Sequence, residues 1–287
     1  MTSSNAVADP ALAVGSPAEQ TPEAADAATT PAPTALSPFE LLPTGEAFGQ
    51  TADRLVVDVW SDVMCPFCYM GDTLLDQALQ KFPHASGVEV RYHSFLLMPQ
   101  LTDDDAPVNP AQLLSAKHGM PLEQAQALND QVTQRAKQIG LDYHFERAQA
   151  ANTRTAHQLS HFAATQGKQH EMVRRLFEAY FTEGLNVADH QTLGDLAAEV
   201  GLDRAAALAA LADEEFTDAV EADIQQARQY GITGVPFFVF AGKYAVSGAQ
   251  PVDAFLQALD TSWNETVGTP ADAAPAPAGA PAAGAGR

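Results

Sequence analysis

Two cysteines, Cys65 and Cys68, are the only ones in a chain of 287 residues, and just two residues separate them. They follow Leu55-Val56-Val57-Asp58-Val59, an apolar, β-branched run with the pattern of a buried strand. Beyond them Leu74, Leu75, Ala78 and Leu79 recur at helical spacing, which predicts a helix reaching about Phe82. The order is therefore strand, Cys-x-x-Cys, helix.

That order suits thiol chemistry. Cysteine reacts as the thiolate, and a helix N-terminus offers unpaired N–H groups and partial positive charge to an anion. Pro66 fits the first helical turn, where its missing N–H has no helical partner to lose. Cys65 is expected to face solvent and attack; Cys68, one turn further in, is expected to be covered and to resolve. A zinc site would need two further ligands, and neither a third cysteine nor a suitably spaced histidine pair supplies them, so no metal is expected. A structural disulfide between adjacent helical turns would close a tiny loop and restrain little.

A net charge of −21 and a pI near 4.5 exclude nucleic acid and anionic membrane surfaces as natural partners. No apolar run approaches the ~20 residues of a membrane span. Met1-Thr2-Ser3-Ser4-Asn5-Ala6 has neither the basic start nor the apolar core of a secretory signal. A dithiol chain without such a signal is expected in the reducing cytoplasm, where these pairs are catalytic or sensing.

Residues 1–50 and 266–287 are low-complexity tails, rich in Ala, Pro and Thr or in Ala, Pro and Gly, and are expected to be disordered. Between them a second strand is expected over Val88–Phe95. Helical punctuation then runs from Asn109 to Gly231. Asn109-Pro110 opens a helix that Gly119 closes. Pro121 starts another, with Leu122, Ala125, Leu128, Val132 and Ile139 on one face. Asn152 or Thr153, Asp189 and Asp203 are N-cap candidates for later helices. Strands return at Gly234–Phe240 and Lys243–Val246, and a last helix carries Phe255, Leu256 and Leu259. The expected architecture is α/β. Residues 51–100 and 220–265 form a thioredoxin-like fold, interrupted by a helical insertion at 101–219.

Three motifs carry a family resemblance. Ser61-Asp62-x-x-Cys65-Pro66-Phe67-Cys68-Tyr69-x-Gly71, Asn152-Thr153-x-x-Ala156-His157 and Gly231-Ile232-x-Gly234-Val235-Pro236-Phe237-Phe238 together resemble the FrnE subgroup of DsbA-like thioredoxin-fold oxidoreductases. Tyr244-Ala245-Val246-Ser247-Gly248-Ala249-Gln250 matches as well, and the resemblance runs from about Leu55 to Ser262. It implies thiol–disulfide exchange in the cytosol. It also implies a cis-proline at Pro236, preceded by Val235, facing the dithiol and offering a backbone edge to substrate. Pro66, Phe67 and Asn152 would line the same groove. For Asn152 a plain N-cap weighs as heavily. His157 and His161, one turn apart, are expected on a polar helix face rather than around a metal. Strong oxidants of the DsbA type carry a histidine where Phe67 stands, so the pair is expected nearer thioredoxin at about −270 mV than DsbA at about −120 mV.

The resemblance leaves three functions in contention. The first is an oxidoreductase or isomerase acting on disulfide-containing client proteins, with no tightly bound cofactor and with glutathione or a thioredoxin-type protein as reductant. The second is a glutathione-dependent transferase or isomerase of the kappa and 2-hydroxychromene-2-carboxylate isomerase type, where a serine stands in the place of Cys65. The third is a redox-sensing, chaperone-like binder. Possession of both cysteines favours the first.

Overall fold

The computed structural model describes residues 54–102 and 108–267, with the backbone of Ser37–Pro38. Apart from Thr266 and Val267, which end the last helix, the tails expected to be disordered lie otherwise outside the described residues. Strand β1 (Ser37–Pro38), β2 (Leu55–Ser61), β3 (Val88–Ser94), β4 (Phe237–Phe240) and β5 (Tyr244–Ser247) form one mixed sheet in the order β1-β5-β4-β2-β3. β2 is parallel to β3, with Leu55 opposite Val88, and antiparallel to β4, with Val57 opposite Phe240. Every residue of β2 is buried. Its near-continuous apolar run is what a strand covered on both faces requires.

Alternation along β2 feeds two cores. Val57 and Val59 pack with helix α1 (Pro66–Leu79) and α9 (Val252–Thr266), whereas Trp60 packs with Ile232, Val239 and Ala227 of α8 (Thr217–Gln229). β4 and β5 are joined through Ala241 and Gly242, at φ 54° and 64°. Positive φ at both central positions matches the twist of a tight hairpin.

Between β3 and β4 the chain forms α2 (Pro110–His118), α3 (Leu122–Gln138), α4 (Arg154–Ala164), α5 (Gln169–Glu178), α6 (His190–Glu199) and α7 (Arg204–Ala212), then α8. The caps follow side-chain chemistry. Asn109 accepts from Ala111 N, Asp189 from Thr192 N, and Asp203 from Ala206 N, while Gly119 closes α2 in the left-handed region. One expectation fails here: Leu122 is 41% exposed. It occupies the first turn of α3, and the helix is held inward by Ala125 and Ala136 instead.

An ionic cluster ties α5 to α1. Asp72 of α1 is 3% exposed, accepts from the Tyr92 hydroxyl, and lies 3.3 Å from both His170 Nε2 and Arg174 Nη1; Arg174 also pairs with Asp76.

Candidate active site

β2 ends at Ser61, and the next three residues turn the chain into α1. Cys65 is the N-cap residue with extended backbone (φ −88°, ψ 112°), and Pro66 takes the first helical position as expected. Cys65 N–H donates to Asp62 O at 3.0 Å, and its carbonyl accepts from Cys68 N at 3.0 Å. Both thiols are unpaired.

The Val235–Pro236 peptide is cis and enters β4 beside the dithiol. The Cys65 thiol lies 3.6 Å from Val235 O, and Pro236 O accepts from Gly248 N at 2.8 Å. Gly71 lets α1 approach this loop, because a Cβ there would meet Pro236 Cγ and Phe238 Cζ at 3.0 Å. The glycine of the motif is thus a packing requirement.

Cys65 is not the solvent-facing residue expected of an attacking thiol. It is 4% exposed and Cys68 2%, because the Val235 loop packs onto the helix start. Phe67 is the group that emerges, at 36% exposure, with the Arg135 guanidinium 5.6 Å from its ring centroid. The same guanidinium donates to Ala249 O at 3.1 Å. The two sulfurs differ in environment rather than exposure. Burial pushes the Cys68 thiol well up, and its hydrogen bond with the Cys65 sulfur and that sulfur's charge push it further; a hydrogen bond from the Asp62 backbone and one from Ser61 oppose the rise.

Asp62 anchors the loop. Its carboxylate is fully buried and accepts from Leu97 N at 2.7 Å, Thr153 Oγ1 at 2.9 Å and Met64 N at 3.4 Å, with His157 Nε2 at 3.6 Å. Thr153 is the N-cap residue of α4, but its hydroxyl serves Asp62 rather than the helix. Asn152 is 9% exposed and turns its Oδ1 to Arg154 N at 3.1 Å. The Asn152–His157 motif therefore meets the Ser61–Cys68 motif at Asp62, and the Val235–Pro236 motif meets it at Cys65.

His157 and His161 do not occupy a polar face. His157 is 6% exposed, and His161 Nε2 lies 2.9 Å from Asp223 Oδ2. Asp223 Oδ1 in turn holds His93 Nδ1 at 2.8 Å, and His93 Nε2 meets Asp58 Oδ1 at 2.8 Å. Burial alone would push the His93 imidazole down; hydrogen bonds to the Asp223 and Asp58 carboxylates reverse this and raise it to about 9. The same histidines hold the Asp223 carboxyl well below the usual carboxylate range against its burial. Among the described residues no group of three or more His, Cys, Asp or Glu side chains could hold a metal ion.

Sequence reasoning missed Tyr143. Its hydroxyl donates to Pro66 O at 2.7 Å, and its ring stacks on Phe181 at 4.6 Å, within a cluster that includes Tyr69 and Phe177. Burial and the charge of Cys65 push its ionisation far up, so it is a hydrogen-bond donor throughout. Only its aromatic character, in a stretch without periodicity, could have marked it.

Comparison with known proteins agrees with this geometry. A model of the DSBA-like thioredoxin domain matches residues 56–260. The uncharacterized protein YwbO of Bacillus subtilis is 31% identical over 205 residues, covering 71% of this chain and 94% of that protein. The crystal structure of a probable DsbA oxidoreductase, SCO1869 from Streptomyces coelicolor, is 39% identical, with a TM-score of 0.70 over 80% of this chain and all of the other. The cytosolic disulfide reductase DsbM of Pseudomonas aeruginosa shares the fold at 20% identity, with a TM-score of 0.54 over 73% of this chain and 99% of its own.

Proposed function

The chain belongs to the DsbA-like thioredoxin-domain family, and on that premise we propose that it is a cytoplasmic thiol–disulfide oxidoreductase or isomerase acting on the disulfides of client proteins. The observation that carries this reading is the Cys65 thiol at the start of α1, 3.6 Å from the Val235 carbonyl and next to the exposed Phe67. The Cys65 thiolate attacks a client disulfide, forming a mixed disulfide and releasing one client thiolate. Cys68 then attacks the Cys65 sulfur, closing the Cys65–Cys68 disulfide and releasing the second. Two electrons pass to the client, and the reverse sequence oxidises it. Val235, Pro236, Pro66, Phe67 and Asn152 hold the client segment. Phe67 and Pro66 supply apolar contact, and the loop entering β4 supplies backbone.

DsbA-like proteins need no tightly bound cofactor, because the cysteines carry the electrons. Glutathione fits as the small-thiol partner that restores the dithiol; the DsbM structure solved with GSH supports this through the shared fold. Cytoplasmic action is supported by the fold shared with the cytosolic disulfide reductase DsbM; separately, no described helix is long and apolar enough to cross a membrane.

Insulin reduction in a glutathione buffer tests the reading. Wild type should turn over, Cys65→Ala should be inactive, and Cys68→Ala should accumulate mixed disulfides on non-reducing gels. Equal trapping by both variants would refute the assignment. Turnover of small electrophiles with glutathione, without insulin reduction, would move the protein to the transferase class.

A further inference from the structure

Resting on the dithiol-exchange reading, we propose that Arg135 selects disulfides that carry a carboxylate close to the half-cystine, by pairing with that carboxylate beside the Val235–Pro236 edge. Arg135 lies near the C-terminal end of α3, in the helical insertion. The turns on either side of it are anchored. Val132 and Ile139 pack against the main core, Ala136 is buried, and Gln77 Nε2 of α1 donates to Ile139 O at 3.3 Å. The helix therefore brings the guanidinium to the dithiol from a fixed direction. It reaches Phe67, which stands between the two cysteines, at 5.6 Å from the ring centroid, and donates to Ala249 O at 3.1 Å. Ala249 follows Gly248, whose N–H donates to the Pro236 carbonyl at 2.8 Å. The guanidinium thus stands where the insertion, the dithiol helix and the loop bracing the cis-proline converge.

Charge pairing separates this arginine from most others. Arg91, Arg154, Arg174, Arg175 and Arg204 each hold a carboxylate of the chain itself. Arg135 holds none among the described residues; its contacts are a backbone carbonyl and an aromatic face. A guanidinium over a ring keeps its in-plane N–H groups available, and Ala249 engages only Nη2. The rest of the fork matches a carboxylate, which it can grip through two parallel hydrogen bonds. In a chain of net charge −21, an anionic substrate meets repulsion over most of the surface. An uncompensated cation beside the exposed Phe67 makes the mouth of the site the exception. A mere clamp on the Ala249 loop would treat all substrates alike, and that difference is measurable.

The exchange itself is unchanged. The Cys65 thiolate forms an S–S bond to the half-cystine, the substrate S–S bond breaks, and its electron pair leaves on the second substrate sulfur. Arg135 forms and breaks no covalent bond; it orients the substrate by its carboxylate. Two sources supply that chemistry, the terminal carboxylates of glutathione and an acidic side chain next to a client half-cystine.

Three small disulfides with one skeleton and different end groups test the proposal: dithiodipropionate is anionic, hydroxyethyl disulfide neutral and cystamine cationic. The reduced full chain is mixed with an excess of each, quenched with an alkylating reagent, and its loss of free thiol timed by mass. Arg135→Gln should slow oxidation by dithiodipropionate roughly tenfold, the worth of one charge-assisted hydrogen bond, and leave hydroxyethyl disulfide within about twofold. Cystamine should react faster with the variant, because a repulsion is removed. Arg135→Lys should recover only part of the anionic rate, since it restores the charge without the fork. Equal slowing with all three disulfides would mark a clamp on the loop and overturn the proposal, as would an unchanged rate with dithiodipropionate. Oxidised glutathione and a cystine peptide with glutamate beside the half-cystine, run on the same proteins, tell the two sources apart. A response by neither also overturns the proposal. If no disulfide oxidises wild type, or Cys65→Ala reacts as quickly, the dithiol reading itself falls, which distinguishes the two failures.

Discussion

Replacing His93 with glutamine should flatten the alkaline limb of the stability profile. In the folded protein His93 is raised to about 9 from an ordinary 6.5 by the carboxylates of Asp223 and Asp58. A group whose folded value lies above its unfolded one stabilises fully below the unfolded value and ceases to as pH rises through the folded one. The window is therefore pH 6.5 to 9. Inside it the folded chain holds one proton more than the unfolded chain, so stability falls by about 1.4 kcal/mol per pH unit from this group. The full gap corresponds to roughly 3 kcal/mol, of which about 2.5 kcal/mol is present at pH 7 and almost none at pH 9.5. Urea unfolding at constant ionic strength, at half-unit steps from pH 6 to 9.5, measures it for both proteins. Other groups that titrate there are common to both chains, so the difference in slope isolates His93. Wild type should lose about 2 kcal/mol more than His93→Gln across pH 7 to 9.5. Parallel profiles would refute an imidazolium held between two carboxylates.

Four further outcomes follow from the site. Gly71→Ala should destabilise by about 1–3 kcal/mol, since its Cβ would press on Pro236 and Phe238 at 3.0 Å, and should slow insulin reduction; unchanged melting and turnover would refute the packing role. Tyr143→Phe should cost about 1–3 kcal/mol in urea unfolding by leaving the Pro66 carbonyl without its donor at 2.7 Å, and a neutral result would discount that bond. Phe67→His should raise the reduction potential by roughly 30 mV for each 1.4 kcal/mol of added thiolate stabilisation, measured against glutathione buffers; a more reducing variant would refute the argument. A chain trimmed to residues 52–266 should keep its exchange activity, and loss of folding would assign the N-terminal segment a structural role.

The dithiol helix, the returning strands and the caps at Asn109, Asp189 and Asp203 were legible because each depends on residues close in sequence. Cover and charge pairing were not. Cys65 is enclosed by Val235, 170 positions away, which no local pattern announces. His93 meets Asp223 across 130 positions, so each looked like an ordinary surface-capable residue in its own element. Asp58 was the available hint, a lone carboxylate inside an otherwise apolar strand, which had to find a partner on burial. His157 was placed on a polar face because helical spacing to His161 says nothing of whether that face is covered.

The position of β2 in the sheet has a consequence for how the protein is made. Val57–Trp60 pair with Phe237–Phe240, about 180 residues further along. At the usual pace of synthesis, about 5–20 residues per second, the partner strand emerges roughly 10–40 s after β2. For that interval the most deeply buried strand keeps one hydrogen-bonding edge open, a template for misplaced pairing. The roof over Cys65, which Val235 supplies, arrives in the same late stretch of chain. A nascent chain therefore displays its reactive sulfur to the surrounding thiols well before the finished enzyme encloses it.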